Sequence, residues 1–228
     1  MIDTPAAVVD LDRLDRNLRR WQDFADEAGL RSRPHVKTHR CVEIARRQLE
    51  LGAAGITCQK LGEAEVMVDA GIDDVLIPYN IVGESKLERL SALLRRARVA
   101  VTVDSEQLLP GLARASHSEL SVLVECDTGL GRAGVQSPDD AVALALAIAR
   151  TAGLRFEGFL TYPALPGADV FLAAAVYGAQ AAGLEVETVS TGGTPTMWSA
   201  RELTPLVTEY RVGNYAFYDR NSVAAGAA

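Results

Sequence analysis

The sequence predicts an α/β protein, a (β/α)8 TIM-type barrel, on three observations. Short β-branched runs alternate with longer helical patterns from residue 31 onward, eight such runs can be counted, and glycine closes helix after helix. The length agrees, because 228 residues falls within the roughly 200–250 residues of a single α/β barrel.

In chain order the predicted strands are 32–37, 55–59, 75–79, 99–104, 121–127, 156–162, 187–191 and 210–217. Helices are predicted over 42–51, 62–70, 85–95, 106–115, 138–152 and 168–182, where Ala and Leu recur at helical spacing. Gly52, Gly71, Gly153 and Gly183 stop four of them, since glycine accepts the left-handed conformation that satisfies the last helical carbonyls. Ahead of the barrel, residues 4–10 read as one extra strand and 11–28 as an amphipathic helix begun by Asp10 or Asp12. Residues 1–30 are thus expected to lead into a barrel spanning 31–228. The end, NSVAAGAA, reads as a small apolar run with no terminal helix. A doubly wound open sheet is the alternative, because the pattern does not show whether first and last strands meet.

The net charge of −7 leaves no excess of cations to follow a phosphate backbone, so nucleic acid is not an expected partner. Arg19 with Arg20, and Arg95, Arg96 and Arg98, sit on helical segments as solvated faces. Cys41, Cys58 and Cys126 form no CxxC pair and read as reduced thiols of a cytoplasmic protein. No apolar run approaches the ~20 residues a membrane helix needs.

Barrel chemistry gathers at the carboxyl ends of the strands. The polar residues there are Lys37, Gln59, Tyr79 with Asn80, Asp104, Asp127 with Arg132, Tyr162, 191–194 and 213–215. A lysine turned into a barrel loses ammonium hydration, its pKa falls, and the neutral amine suits Schiff-base chemistry. STGGTPT (190–196) and RVGNY (211–215) would be adjacent loops whose glycines let backbone N–H groups approach a phosphate. Arg132, on the Gly-rich DTGLGRAGV loop, suits a phenolate or carboxylate, or an ion pair with Asp127 or Glu125. His35, His39 and His117 lack metal-helix geometry and read as structural or supporting side chains; no metal ligands are expected in this chain. There is no G-x-S-x-G elbow.

TPAAVVDLDRLDRNL, RPHVKTHR, ITCQKLGEAEVM, DTGLGRAGV, STGGTPTMW and VGNYAFYDR, in order from residue 4 to the end, resemble the D-threonine aldolase and D-serine dehydratase group of fold-type III pyridoxal phosphate enzymes, relatives of alanine racemase. The resemblance implies a barrel of the alanine racemase amino-terminal type that binds pyridoxal 5'-phosphate. It implies that Lys37 is the Schiff-base residue, that Arg132 lies beside the cofactor's phenolic oxygen, and that Tyr162 joins Lys37 as a catalytic residue. Gln59 would line the site, while Gly192, Gly193, Thr194, Gly213, Asn214 and Tyr215 would cradle the phosphate. Arg211 matches the position where alanine racemases hold an arginine against the pyridine nitrogen, although the aldolase group varies there.

The activity implied is that of a lyase on D-configured β-hydroxy amino acids. The group's full-length members carry a β-rich carboxyl-terminal domain with ligands for a divalent metal, manganese or zinc, and form head-to-tail homodimers. This chain would lack that domain, which makes a fragment of impaired activity the expectation. The extra strand 4–10 would then be a piece of it. A non-catalytic single-domain pyridoxal phosphate-binding protein and an amino-acid racemase are the competing readings.

Overall fold

The computed structural model describes residues 3–224 and 226–228. Its elements run α1 (Leu11–Glu27), β1 (Arg31–Ser32), α2 (Val42–Glu50), β2 (Ile56–Thr57), α3 (Leu61–Asp69), β3 (Asp74–Ile77), α4 (Glu84–Leu94) and β4 (Arg98–Val103). They continue with α5 (Leu109–Ala115), β5 (Leu120–Cys126), α6 (Pro138–Arg150), β6 (Leu154–Thr161), α7 (Ala168–Ala181), β7 (Thr188–Gly192), β8 (Glu209–Arg211) and α8 (Arg220–Ala224).

All eight strands lie in one parallel sheet of order β1-β8-β7-β6-β5-β4-β3-β2. The two ends of that order also meet. His35 bridges Thr57 in parallel, Thr57 N–H donates to the Pro34 carbonyl at 2.8 Å, and Ala54 N–H donates to the Ser32 carbonyl at 2.8 Å. The sheet is therefore closed, and the open-sheet alternative falls.

The helices form where capping and spacing agree. Ser137 accepts from Asp140 N–H at 3.1 Å, Pro138 opens α6, and Ala141, Leu144, Ala145 and Ile148 make one buried stripe. Asp10 accepts from Arg13 N–H to start α1, whose Leu14, Leu18, Trp21 and Ala25 face inward. Trp21 donates to Ser32 Oγ at 2.8 Å and packs on Tyr210, ring centroids 5.4 Å apart. Thus α1 seals the seam between β8 and β1.

Four sequence expectations change. Residues 4–10 are exposed and pair with no described strand; an isolated strand has no ladder to join. Strand 32–37 is only Arg31–Ser32, because the chain tightens into a 3-10 turn at Val36–Thr38. Strand 210–217 is only Glu209–Arg211, followed by a second such turn at Asn214–Ala216. The terminal run does hold a helix, α8, capped by Asp219, which accepts from Ser222 N–H at 2.7 Å.

Inside the barrel the side chains stack by period two. On β5, Val122 and Val124 face the helices, whereas Ser121, Leu123 and Glu125 face inward at the bottom, middle and mouth. Leu76, Leu123 and Leu160 with Ala100 form the apolar middle layer. Strand β6 keeps this phase only through a bulge, where Val122 pairs Phe156 but Leu123 pairs Gly158. Phe156 and Phe159 consequently both face outward, ring centroids 5.2 Å apart, and Leu160 and Tyr162 turn toward the mouth. A Cβ on Gly158 would sit 1.8 Å from the Thr188 carbonyl oxygen, so only glycine fits.

Below the apolar layer the interior is charged. Arg33 Nε donates to Glu209 Oε2 at 2.6 Å and its Nη1 to Asp74 Oδ1 at 2.5 Å; Arg98 also pairs Asp74. Burial alone would push the Glu209 carboxyl up, but Arg33 and the Ser190 hydroxyl outweigh it and hold the group below the usual value of 4.5. A carboxyl depressed by folding stabilises the native state above its unfolded pKa and loses that contribution as pH falls through the folded one. Arg33→Ala, which strands Glu209 as a buried unpaired charge, should cost about 3–5 kcal/mol in urea unfolding at pH 7. The deficit should narrow as the pH drops below 4.5; a change under ~1 kcal/mol at pH 7 would contradict the ion-pair account.

Candidate active site

Lys37 leaves the first 3-10 turn at the carboxyl end of the barrel. His35 Nδ1 accepts from Lys37 N–H at 3.4 Å, and His39 and Arg40 both donate to the Val36 carbonyl, at 3.1 and 2.7 Å. Arg40 ends the turn in the left-handed region, φ 49°. This tight reversal aims Lys37 into a cavity of about 390 Å3 at the barrel mouth.

Within that cavity Lys37 Nζ donates to Gln59 Oε1 at 3.2 Å and lies 5.6 Å from the centre of the Tyr162 ring. The Arg132 guanidinium lies 5.2 Å from the same ring and 4.0 Å from Glu125. Of the partners considered for Arg132, Glu125 is therefore the one it faces. Asp127 is committed elsewhere, accepting from the Gly129 and Gly131 amides at 2.9 and 3.0 Å to build the loop.

Burial pulls the Lys37 ammonium below the usual lysine value of 10.5, and Arg132 and Arg211 push the same way against a smaller opposing pull from Glu63. Burial, helped by Lys37 and Arg211, drives the His35 imidazole well below 6.5, so it is neutral at physiological pH. Arg211 forms part of the floor, donating to Ser190 Oγ at 2.5 Å and the Thr161 carbonyl at 2.8 Å. Its burial lowers it to about 10, which leaves it charged. Burial likewise raises Glu125 above 4.5, partly offset by Arg211 and Arg132.

Two turns complete the wall. Gly193, at φ 128°, keeps to a backbone conformation that glycine alone adopts readily, and Thr194 follows it on the cavity wall. Thr194 Oγ1 accepts from the Gly213 and Tyr215 amides, at 3.4 and 3.2 Å, tying the two loops together. The amides of Thr194 and Asn214 open their 3-10 turns and are the orphan donors of those turns.

Of the sequence-predicted site residues, the cavity receives Lys37, Gln59, Arg132, Tyr162, Gly193, Thr194, Gly213 and Asn214. Gly192 and the Tyr215 side chain are not among its walls. A Cβ at Gly192 would meet the Arg211 carbonyl at 2.2 Å, so this glycine serves the close approach of β7 to β8. The Tyr215 ring is buried beneath α1, its hydroxyl accepting from Gln48 Nε2 at 2.8 Å. Gly193 N–H is spent on the Arg211 carbonyl at 3.1 Å.

Tyr79, Asn80 and Asp104 lie outside the cavity; Asn80 donates to Asp104 at 2.7 Å, and Asp104 accepts from Gly134 N–H at 3.2 Å. Sequence reading missed Thr38, Asp219, Asn221 and Ser222 as wall residues, and Glu125 as more than an ion-pair partner. The D-R-N-S spacing of a capped turn was the available signal for the α8 residues.

Fold and site together define a class: an α/β barrel that presents one low-pKa lysine to a cavity rimmed by anion-compatible turns. The chain belongs to the family described as alanine racemase, N-terminal domain, whose model matches residues 9–221. It is similar to the D-threonine aldolase of Arthrobacter sp, 39% identical over 96% of this chain and 62% of that protein. A 3-hydroxy-D-aspartate aldolase of Paracoccus denitrificans (strain Pd 1222) is 35% identical over 96% of this chain and 61% of its own length. The crystal structure of D-threonine aldolase from Filomicrobium marinum superposes with a TM-score of 0.94 at 40% identity, covering 98% of this chain and 65% of that one. The chain thus spans somewhat under two thirds of the relatives it matches.

The lowered ammonium predicts that reductive methylation with formaldehyde and cyanoborohydride, followed by peptide mapping, finds Lys37 reacting at lower pH than free lysine. A Lys37 profile centred at or above 10.5 would contradict the partly desolvated, cation-flanked setting.

Proposed function

We propose that the mouth cavity binds pyridoxal 5'-phosphate, held covalently through Lys37 Nζ, and that this barrel is the cofactor-binding part of a lyase acting on D-β-hydroxy amino acids. One observation carries the reading: the deprotonation-prone amine of Lys37 stands in the same cavity as the Gly193–Thr194 and Gly213–Asn214 turns.

The residues present fit the group. Lys37, Arg132 and Arg211 against Glu125 and Asp219 give the wall an excess of cations, as a phosphate dianion requires. Gly193 sits at φ 128°, a conformation that residues with side chains rarely adopt, so bare backbone is left for the ligand. The amides of Thr194 and Asn214, with the Thr194 hydroxyl, would hold the phosphate. When bound, the cofactor supplies an electron sink for the bond broken at the substrate's α-carbon.

The protein's own groups do the rest. Arg132 would stabilise a phenolate oxygen, and the Tyr162 ring offers its π-face to both Arg132 and Lys37. Gln59 fixes the direction of the amine, and neutral His35 supports the Lys37 turn without adding charge. Among the described residues no three His, Cys, Asp or Glu side chains converge; the divalent metal belongs to what the resemblance implies for the longer members.

A cytoplasmic location fits the cysteines Cys41, Cys58 and Cys126, none in a disulfide, and no helix among the described residues is long and apolar enough to cross a membrane. A small D-amino acid as partner, and a homodimer for the longer relatives, belong to the same proposal.

Incubation with pyridoxal phosphate should raise a violet absorbance band, and borohydride should then fix the cofactor mass on the peptide containing Lys37. Gly193→Asp, which sets a carboxylate against the phosphate, should weaken pyridoxal phosphate at least about tenfold while pyridoxal binds nearly as before. Labelling at Lys60 or Lys86 would refute the lysine assignment, pyridoxal phosphate binding undiminished in Gly193→Asp would refute the phosphate assignment, and equal loss of both ligands would mean a damaged fold.

A further inference from the structure

Glu63 lies outside the cavity, on the first turn of α3, and is almost fully buried at 7% exposure. Its Oε2 accepts from the Gln59 amide at 2.7 Å. Its Oε1 stands 3.1 Å from Arg40 Nε, an ion pair without hydrogen-bond geometry. Arg40 is the left-handed residue that ends the Lys37 turn, and Gln59 is the residue whose side chain accepts from Lys37 Nζ. One carboxylate therefore grips both segments whose relative position sets the Lys37–Gln59 contact.

We propose that Glu63 is a positioning residue for Lys37, clamping the Lys37 turn to the start of α3 through Arg40 and the Gln59 amide. This rests on the reading of Lys37 as the cofactor-bearing lysine. A buried carboxylate ordinarily needs such partners to be tolerated at all. Here both partners belong to the walls of the reactive amine rather than to a distant packing contact.

The clamp also sets the field at Lys37. Around the amine stand His35 from its own turn, Glu125 and Arg132 from the β5 end and loop, Tyr162 from the β6 end, Arg211 from β8 and Asp219 before α8. Arg132 and Arg211 press the ammonium to lose its proton, and Glu63 resists them. Removing the Glu63 charge lowers the pH at which the amine becomes free by charge alone, so the clamp itself is read from the attachment rate at a pH where that charge effect no longer counts.

Two variants separate the cases. Glu63→Gln keeps an acceptor for the Gln59 amide but loses the charge and the grip on Arg40. Arg40→Gln, at an exposed position, releases the clamp and leaves the Glu63 charge uncompensated. Reductive methylation of Lys37 followed across pH should show its midpoint move down in Glu63→Gln and up in Arg40→Gln. At a pH above all midpoints, where the amine is neutral in each protein, pyridoxal phosphate attachment should be about tenfold slower in both variants, the worth of one charged interaction.

An unmoved or raised midpoint in Glu63→Gln, or unchanged attachment rates, would overturn the proposal. If Glu63→Gln does not fold, Arg40→Gln decides alone: no upward shift and no slowing would be fatal. Failure of the unmodified protein to take up pyridoxal phosphate would sink the cofactor reading instead, while the methylation midpoints would still report on the clamp.

Discussion

The structure depends most on the ion pair between Arg33 and Glu209 in the barrel interior. Among the described residues one apolar layer, Leu76, Leu123 and Leu160 with Ala100, fills the middle of the barrel. Beneath it the side chains are charged, and a dry charge is tolerated only when a partner meets it with good geometry. Arg33 reaches Asp74 on one side and Glu209 on the other; Glu209 accepts from Ser190 Oγ at 2.7 Å, and Ser190 accepts from Arg211. This chain joins β3, β1, β8 and β7 across the seam where the barrel closes. It also delivers Arg211 to the cavity as a cation whose orientation is fixed before any ligand arrives.

From that anchoring the chemistry of the mouth follows. Arg211 is held near Lys37 by buried protein hydrogen bonds, so its repulsion is a built-in part of the amine's environment, and the more exposed Arg132 adds to it. A lysine in such a place gives up its proton more readily than one in water. The bulge at Gly158 matters equally, since without it the phase of β6 would turn Tyr162 toward the helices and remove the ring that both cations approach.

Much of this was legible in the sequence. The predicted helices match the observed ones to within a few residues, because capping residues and terminal glycines are local signals. The lysine and the two Gly-containing turns were legible because they stand at strand ends, where barrels gather function. What escaped was set by contacts distant in sequence. Gly192 looks like part of a phosphate loop, yet its lack of a side chain answers the Arg211 carbonyl on the next strand. Tyr215 looks like part of the second turn, yet its ring is claimed by Trp21 and Gln48. The charged interior could not be read at all, as Arg33, Asp74 and Glu209 are scattered through the chain and no local rule pairs them. Residues 4–10 show the opposite error: β-branched residues suggest a strand, but a strand needs a neighbour to bond with.

The central claim is that Lys37 and the two turns act on one ligand, the amine at one end and the phosphate at the other. A crystal structure of the protein soaked with pyridoxal phosphate tests it most directly. The account predicts continuous density from Lys37 Nζ into the cofactor ring, with the phosphate against Thr194 and Asn214 and the phenolic oxygen toward Arg132. Cofactor bound at any other lysine, or a phosphate lodged away from both turns, would contradict it.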